Sequence, residues 1–306
     1  MKIILAEHYG LCFGVRDAVA EAEQLAKAGP LTILGELVHN PLVRERLARH
    51  GVLEGALDDL SSPTPQVMIT AHGASDRKRD RWRASGFRVA DGTCPLVAHA
   101  HRQLHILAGL GFFPVVIGKR GHVEVEGLVD DFPGAFVIEQ EEDIPRLPKR
   151  ERYGVISQTT QPLDKVASLV EAIRHARPES EVRFKDTVCQ PTKNRQNALR
   201  KLIAECDTLV VVGGRNSNNT LQLAASAGGA GLRVFHITTP EELREEWFRD
   251  ARVTGLTAGT STLKETVAAV HARLEEIAEQ KVRPAETAAS TPKGVPSPGV
   301  SHPQRM

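Results

Sequence analysis

The sequence predicts an α/β protein with mostly parallel sheets, and three observations carry that expectation. Short apolar runs of about four to six residues alternate with amphipathic stretches of about 12 to 18 almost throughout. Strand–helix alternation of this kind builds parallel sheets through right-handed crossovers. A length of 306 residues lies at the upper edge for one core, so two or three subdomains are expected. Finally, three similar strand-to-helix junctions, each holding a cysteine, recur about once per third of the chain.

The elements follow in order. A first strand at 2–6, built on Ile3-Ile4-Leu5, precedes a helical pattern at 15–28. Strand 31–34 feeds helix 41–50, strand 67–70 feeds helix 76–84, and strand 87–89 feeds helix 97–110. Strands 114–117 and 135–138 lead to strand 153–157 and helix 162–176. Strand 181–184 then feeds helix 192–205, and strand 208–212 feeds helix 221–227. Strands 233–237 and 252–256 close the pattern. Cutting at the cysteine junctions gives units 14–94, 95–189 and 190–281, the last completed by the N-terminal strand in 1–13. Residues 282–306 are Pro, Ala, Ser and Thr with almost no large apolar side chain, which reads as a disordered tail. No short-period repeat points to a solenoid.

Composition excludes several classes. The chain is 41% apolar and 25% charged, as an ordinary soluble globular protein is. A net charge of +1 gives no bulk attraction to nucleic acid or to an acidic membrane surface. No apolar run approaches the roughly 18 residues that a membrane span needs. Glu7 and His8 interrupt the N-terminal apolar run too soon for a signal-peptide core. Four widely spaced cysteines do not suggest a disulfide scaffold, so a reducing cytoplasm is the expected setting.

The cysteines carry the chemistry. Cys12 lies in Tyr9-Gly10-Leu11-Cys12-Phe13-Gly14, Cys94 in Asp91-Gly92-Thr93-Cys94-Pro95, and Cys189 in Asp186-Thr187-Val188-Cys189-Gln190-Pro191. Ligands of open α/β sheets collect outside the carboxyl ends of the strands, so all three converge if the three units face one centre. Three thiolates leave one iron of an iron–sulfur cluster open, or a water position on zinc. Buried structural cysteines are the plain alternative; Cys206, on a helical face, reads as that. His39, His72 and His122 each follow a strand, which suits an anion-binding or acid/base centre. The loops around Gly213–Thr220, Gly255–Thr262 and Ser157–Thr160 offer backbone N–H groups and short polar side chains for a phosphate, or merely for helix caps. Neither a P-loop nor a dinucleotide fingerprint is present. Glu124 is the candidate proton donor: a carboxyl group beside a bound diphosphate and a cluster would have a raised pKa, as a general acid needs. Glu126 reads as a solvated surface residue.

Taken together these motifs resemble those of the LytB (IspH) family of 4-hydroxy-3-methylbut-2-enyl diphosphate reductases. The resemblance rests on Gly-Leu-Cys12-Phe-Gly-Val, Leu-Val-His39-Asn-Pro, Ala-His72-Gly, Asp-Gly-Thr-Cys94-Pro and Gly-His122-Val-Glu124-Val, followed by Ser-Gln-Thr159-Thr, Thr-Val-Cys189-Gln-Pro-Thr, Asn216-Ser217-Asn218-Asn219 and Thr-Ala-Gly-Thr-Ser261. It implies a trefoil of three α/β domains with mostly parallel sheets around a central iron–sulfur cluster. It further implies a 4Fe–4S cluster held by Cys12, Cys94 and Cys189, with one open iron. His39, His72, His122, Thr159, Ser217, Asn218, Asn219 and Ser261 would contact the diphosphate substrate. Glu124, with His122 and Thr159, would serve the proton transfers, and a ferredoxin or flavodoxin would supply electrons. The implied products are isopentenyl and dimethylallyl diphosphate, made in the last step of the non-mevalonate isoprenoid pathway.

Four departures from the family pattern stand out: Val123 replaces a usual Pro, His99 a frequent Lys, Asn218 a frequent Ser, and Gly127-Leu128-Val129-Asp130 a usual Gly-Thr-Met/Val-Gly. None removes a ligand or the acid. The alternatives are a paralogue acting on another allylic diphosphate, a cluster-based redox sensor with no need of Glu124, and a zinc hydrolase.

Overall fold

The computed structural model describes residues 1–287. Among the described residues, twelve strands form three parallel four-stranded sheets, and nine α-helices accompany them. In the first third, α1 (Phe13–Ala28) leads into β2 (Leu31–Leu34), α2 (Pro41–Arg49), β3 (Leu53–Gly55), β4 (Gln66–Ile69), α3 (Asp76–Ala84) and β5 (Arg88–Asp91). The second runs from α4 (Pro95–Gly109) through β6 (Phe113–Ile117), α5 (Val123–Val129), β7 (Phe136–Ile138), β8 (Arg152–Ser157) and α6 (Leu163–Ala176) to β9 (Glu181–Phe184). The third holds α7 (Gln190–Glu205), β10 (Thr208–Val212), α8 (Asn218–Gly229), β11 (Arg233–Ile237), β12 (Val253–Ala258) and α9 (Lys264–Thr287), with β1 (Lys2–Leu5) from the N-terminus.

The three sheets have one topology. Their orders are β3-β2-β4-β5, β7-β6-β8-β9 and β11-β10-β12-β1. Numbered within each unit, every sheet reads second, first, third, fourth, and every pairing is parallel. The N-terminal strand is the fourth strand of the last sheet, with Lys2 opposite Val253 and Leu5 opposite Leu256. This order reverses direction between the first and third strands, and the crevice at their carboxyl ends is where such sheets bind ligands.

Both faces of each sheet are covered, which is why the central strands are continuous apolar runs rather than alternating ones. Every residue of β10, Thr-Leu-Val-Val-Val, is buried. Two apolar clusters flank each sheet, for example those of Val115 and Ile173 on one face and Leu104 and Ile156 on the other.

Some elements differ from the expected pattern. β3 was absent from it, because Leu53-Glu54-Gly55 is a short and largely exposed edge strand. The Val-Glu-Val-Glu run alternates as a strand would, yet it starts α5, whose N-terminus His122 caps with its own ring. α9 carries regular structure past the expected boundary at 281. Most of the expected tail, 288–306, lies outside the described residues.

Candidate active site

The topology places equivalent residues at equivalent strand ends. First strands of the three units deliver His39 after β2, His122 after β6 and Ser217 after β10. Third strands deliver His72 after β4, Thr159 after β8 and Ser261 after β12. Fourth strands deliver the cysteines: Cys94 after β5, Cys189 after β9 and Cys12 after β1. All of these, together with Glu124, Asn218 and Asn219, line a single cavity of about 80 Å³.

Each cysteine is the cap residue in front of the helix that carries the chain into the next unit, α1, α4 or α7. None spends its side chain on capping. The same backbone bond pins all three: Cys12 N–H donates to Thr260 O at 2.9 Å, Cys94 to Ala71 O at 3.1 Å and Cys189 to Thr159 O at 2.9 Å. Helix N-termini favour thiolates. Burial acts the other way, raising Cys94 and pushing Cys189 up to about 11, with Cys12 and Glu124 adding to both. A bound metal removes that penalty by deprotonating the thiols outright.

The donor set discriminates between metals. Sulfurs on one tetrahedral zinc, at about 2.3 Å from it, lie about 3.8 Å apart. Among the described residues only Asp76, His105 and Asp131 converge within 4.8 Å, and the three cysteines do not form so tight a group. Three free thiols spread around a shared cavity fit a group with several irons better than one zinc ion. Cys206 stands apart as expected: it is buried on α7's C-terminal end, its thiol donating to Leu202 O at 2.8 Å.

Close packing keeps the cysteine loops together. A Cβ on Gly14 would overlap Cys94 Sγ, so only glycine lets α1 pass this close to that cysteine. Gly14→Ala should lower bound iron per chain and destabilise the fold by about 1–3 kcal/mol. Metal analysis and thermal unfolding check both.

The histidines form one cluster. Ring centroids lie 4.3 Å apart for His39 and His72, 5.3 Å for His39 and His122, and 5.6 Å for His72 and His122. His39 Nδ1 meets the Glu36 carboxylate at 2.8 Å. His122 Nδ1 accepts the Glu124 backbone N–H at 3.1 Å, which leaves Nε2 to carry the ring proton when neutral. Nδ1 of His72 is buried without a partner among the described residues. Burial, then the neighbouring histidines, holds His72 well below the usual range. Burial first, then His39 and Lys119, lowers His122 to about 4.

Glu124 is 2% exposed, so it is no solvated surface residue. Its Oε1 accepts the Thr159 backbone N–H at 2.7 Å. Burial raises its pKa to about 7, against the opposing effect of the Thr159 bonds. The expected cause was neighbouring negative charge; burial by itself already brings the group into the range of a general acid. Glu126, two residues on, is exposed as expected.

Ser217, Asn218 and Asn219 form the N-terminus of α8, and their side chains also knit the units together. Asn219 Oδ1 accepts from Thr260 N–H at 3.1 Å, and Asn218 Nδ2 donates to Thr160 Oγ1 at 2.8 Å. Asn40 Nδ2 donates to Ser261 O at 2.6 Å, and Ser261 Oγ donates to the His39 carbonyl at 3.3 Å. Thus Asn218, a departure from the family pattern, bridges the second and third units. Asp130, another, accepts from Ser75 Oγ at 2.5 Å and from Arg77 Nη2 at 2.6 Å, clasping the first unit to the second. Val123 occupies the first position of α5, where proline is favoured because no intrahelical N–H bond is needed and its φ is already helical, and where other residues are also accommodated. Its replacement therefore leaves the helix start intact. His99 is exposed on α4.

Four residues on or behind the cavity wall, Glu36, Asn40, Thr160 and Thr260, carry no individual signal of a role in the sequence. Glu36 and Asn40 flank His39 at the spacings of a turn and a helix cap, so their neighbours were the available signal. Thr160 and Thr260 gave none beyond their loops.

This fold and cavity define a three-lobed α/β enzyme whose site is assembled from all three lobes. The chain belongs to the LytB family, whose model, described as LytB protein, matches residues 3–275. A 4-hydroxy-3-methylbut-2-enyl diphosphate reductase of Aquifex aeolicus is 36% identical over 285 residues, covering 91% of this chain and 98% of that one. One from Citrifermentans bemidjiense is 35% identical, covering 92% of this chain and all of that one. Among solved structures, the E-1-hydroxy-2-methyl-but-2-enyl-4-diphosphate reductase of Plasmodium falciparum superposes with a TM-score of 0.81 at 27% identity, covering 87% and 86% of the two chains. A further (E)-4-hydroxy-3-methyl-but-2-enyl diphosphate reductase, described as the terminal enzyme of the non-mevalonate pathway, matches at 35% identity with a TM-score of 0.64, covering 90% of this chain and all of that one.

Proposed function

We propose that this chain is a 4-hydroxy-3-methylbut-2-enyl diphosphate reductase. It removes the substrate's hydroxyl as water and gives isopentenyl and dimethylallyl diphosphate. The balance is two electrons and two protons in, with one C–O bond broken, one C–H bond formed and one water released. The observation that carries this reading is the convergence of three cysteines, three histidines and one buried acid on a single cavity. Cys12, Cys94 and Cys189 would hold a 4Fe–4S cluster with one iron free of protein ligands. When bound, the cluster supplies the electrons and the Lewis acidity for C–O cleavage.

The chain's own residues do the rest. The N-terminus of α8, with Ser217, Asn218 and Asn219, presents backbone N–H groups and a positive helix end to the diphosphate. His39, His72, His122 and Ser261 close around it. Glu124 holds the proton: Thr159 N–H engages Oε1, so Oε2 is the oxygen left to carry and deliver it. The hydroxyls of Thr159 and of a water would extend the relay. A redox sensor would have no use for a buried acid with a pKa near 7.

The setting is a reducing one, the cytoplasm, given four free cysteines. No helix among the described residues is long and apolar enough to cross a membrane. The electron donor is a ferredoxin or flavodoxin.

Turnover is the test. Anaerobically reconstituted protein with reduced viologen should consume the hydroxylated diphosphate and release both products. A fully loaded cluster with no turnover contradicts the activity.

Binding should also take up protons. His72 and His122 are neutral at pH 7 in the free cavity, and an adjacent diphosphate raises both pKa values. Up to about two protons, one for each of these histidines, should therefore be taken up per diphosphate bound, and affinity should weaken as pH rises. Calorimetry in two buffers of different ionisation enthalpy reads this uptake directly.

A further inference from the structure

Behind the cysteine loops lies a charged residue that the mechanism above does not use. Arg195, on α7, is 5% exposed. Its Nη1 donates to the Pro191 carbonyl at 2.8 Å, one turn back toward Cys189. Its Nη2 donates to the carbonyl of Gly10, two residues before Cys12 and 185 positions away in sequence. One guanidinium thus joins the loop that presents Cys12 to the helix that begins at Cys189. Its Nε is buried with no partner among the described residues.

The guanidinium has no carboxylate partner among the described residues; its hydrogen bonds go to two carbonyls. Taking such a cation out of water is unfavourable unless an anion faces it. Burial pulls its pKa down, and the groups acting in the other direction are Cys12 and Cys189. As the thiolates that a bound metal would make of them, these two would be its anions. Arginine remains charged even when buried, which makes it a fixed charge rather than a titrating one.

We propose that Arg195 is the built-in counter-charge of the thiolate-held cluster, holding the Cys12 and Cys189 loops together and raising the cluster's reduction potential. The inference rests on the reductase reading. A positive charge beside an iron–sulfur centre favours its reduced, more negative state, and net charge is one of the levers that set such potentials. Arg195 does not line the cavity, so its role is positioning and electrostatic rather than catalytic.

The test compares wild type, Arg195→Gln and Arg195→Lys after anaerobic reconstitution. The readouts are iron and sulfide per chain and the midpoint potential from a redox titration followed by electron paramagnetic resonance. Arg195→Gln should shift the midpoint to a more negative value, and Arg195→Lys should recover most of that shift. A loaded Arg195→Gln with an unmoved midpoint overturns the proposal. If Arg195→Gln retains no cluster, retention by Arg195→Lys supports the charge role, and loss in both variants overturns it. A wild-type chain that assembles no cluster overturns the reductase reading as well, so the two failures are distinguishable.

Discussion

Glu124→Gln should lower kcat by about 10²–10⁴-fold, the range expected when a general acid is removed, with iron and sulfide content unchanged. The substitution is nearly isosteric. The amide oxygen of glutamine can still accept the Thr159 N–H that now bonds Oε1 at 2.7 Å, so the loop after β8 keeps its anchor. What is lost is the exchangeable proton. The pH profile provides the internal check. Glu124 delivers a proton, so the active form is the protonated one, and a pKa raised to about 7 makes that form abundant near neutrality. As pH rises through this pKa the acid is lost, and wild-type kcat should fall. A bound diphosphate adds negative charge and moves the falling limb above pH 7. That limb should disappear in Glu124→Gln. A variant that retained both the rate and the limb would remove Glu124 from the mechanism.

Cys94→Ser should abolish cluster retention and bring turnover to background while the chain stays folded. Each of the three cysteines follows the fourth strand of a different sheet, so no other cysteine can replace a lost one. A serine hydroxyl is a harder and less readily deprotonated ligand than a thiol and holds iron–sulfur groups poorly. The fold does not depend on Cys94, because the apolar clusters on either face of its sheet are built without it. Thermal unfolding of the apo proteins should therefore differ little. Cys206→Ser makes the opposite pair: it introduces a hydroxyl into an apolar cluster and should cost about 1–3 kcal/mol of stability while keeping the iron. Iron per chain and unfolding curves on the two variants separate ligand from core.

How much of this was legible in the sequence depends on whether the signal is local. Strands β2 and β10 have the expected bounds because a strand covered on both faces is an almost continuous apolar run, and the edge strands β9 and β11 have them although polar residues interrupt their apolar ones. β3 escaped because an exposed edge strand needs no apolar run. α5 escaped because Val-Glu-Val-Glu has the period of a strand. Burial of Val125 and Leu128, together with the cap from His122, decides for helix. The cysteines and histidines could be found from their junctions, but their shared placement needs the strand order. Only the repeated second-first-third-fourth order puts the histidines at the direction reversals and the cysteines one strand away. Arg195 was invisible, since an arginine in an Arg/Lys-rich helix reads as solvated until its partner carbonyl, contributed by Gly10, is brought beside it. Glu124 was ambiguous for the same reason: its hydrogen-bond partner, the Thr159 N–H, comes from the loop after β8, 35 positions away.

We propose that three thiolates, one from each lobe, hold a cluster whose remaining iron faces the substrate. Mössbauer spectroscopy of anaerobically reconstituted, iron-57-labelled protein, with and without 4-hydroxy-3-methylbut-2-enyl diphosphate, reads that iron separately. One iron site should differ from the others, and its signal should move when substrate is added while the rest stay in place. A loaded cluster whose sites are all equivalent and indifferent to substrate would contradict it.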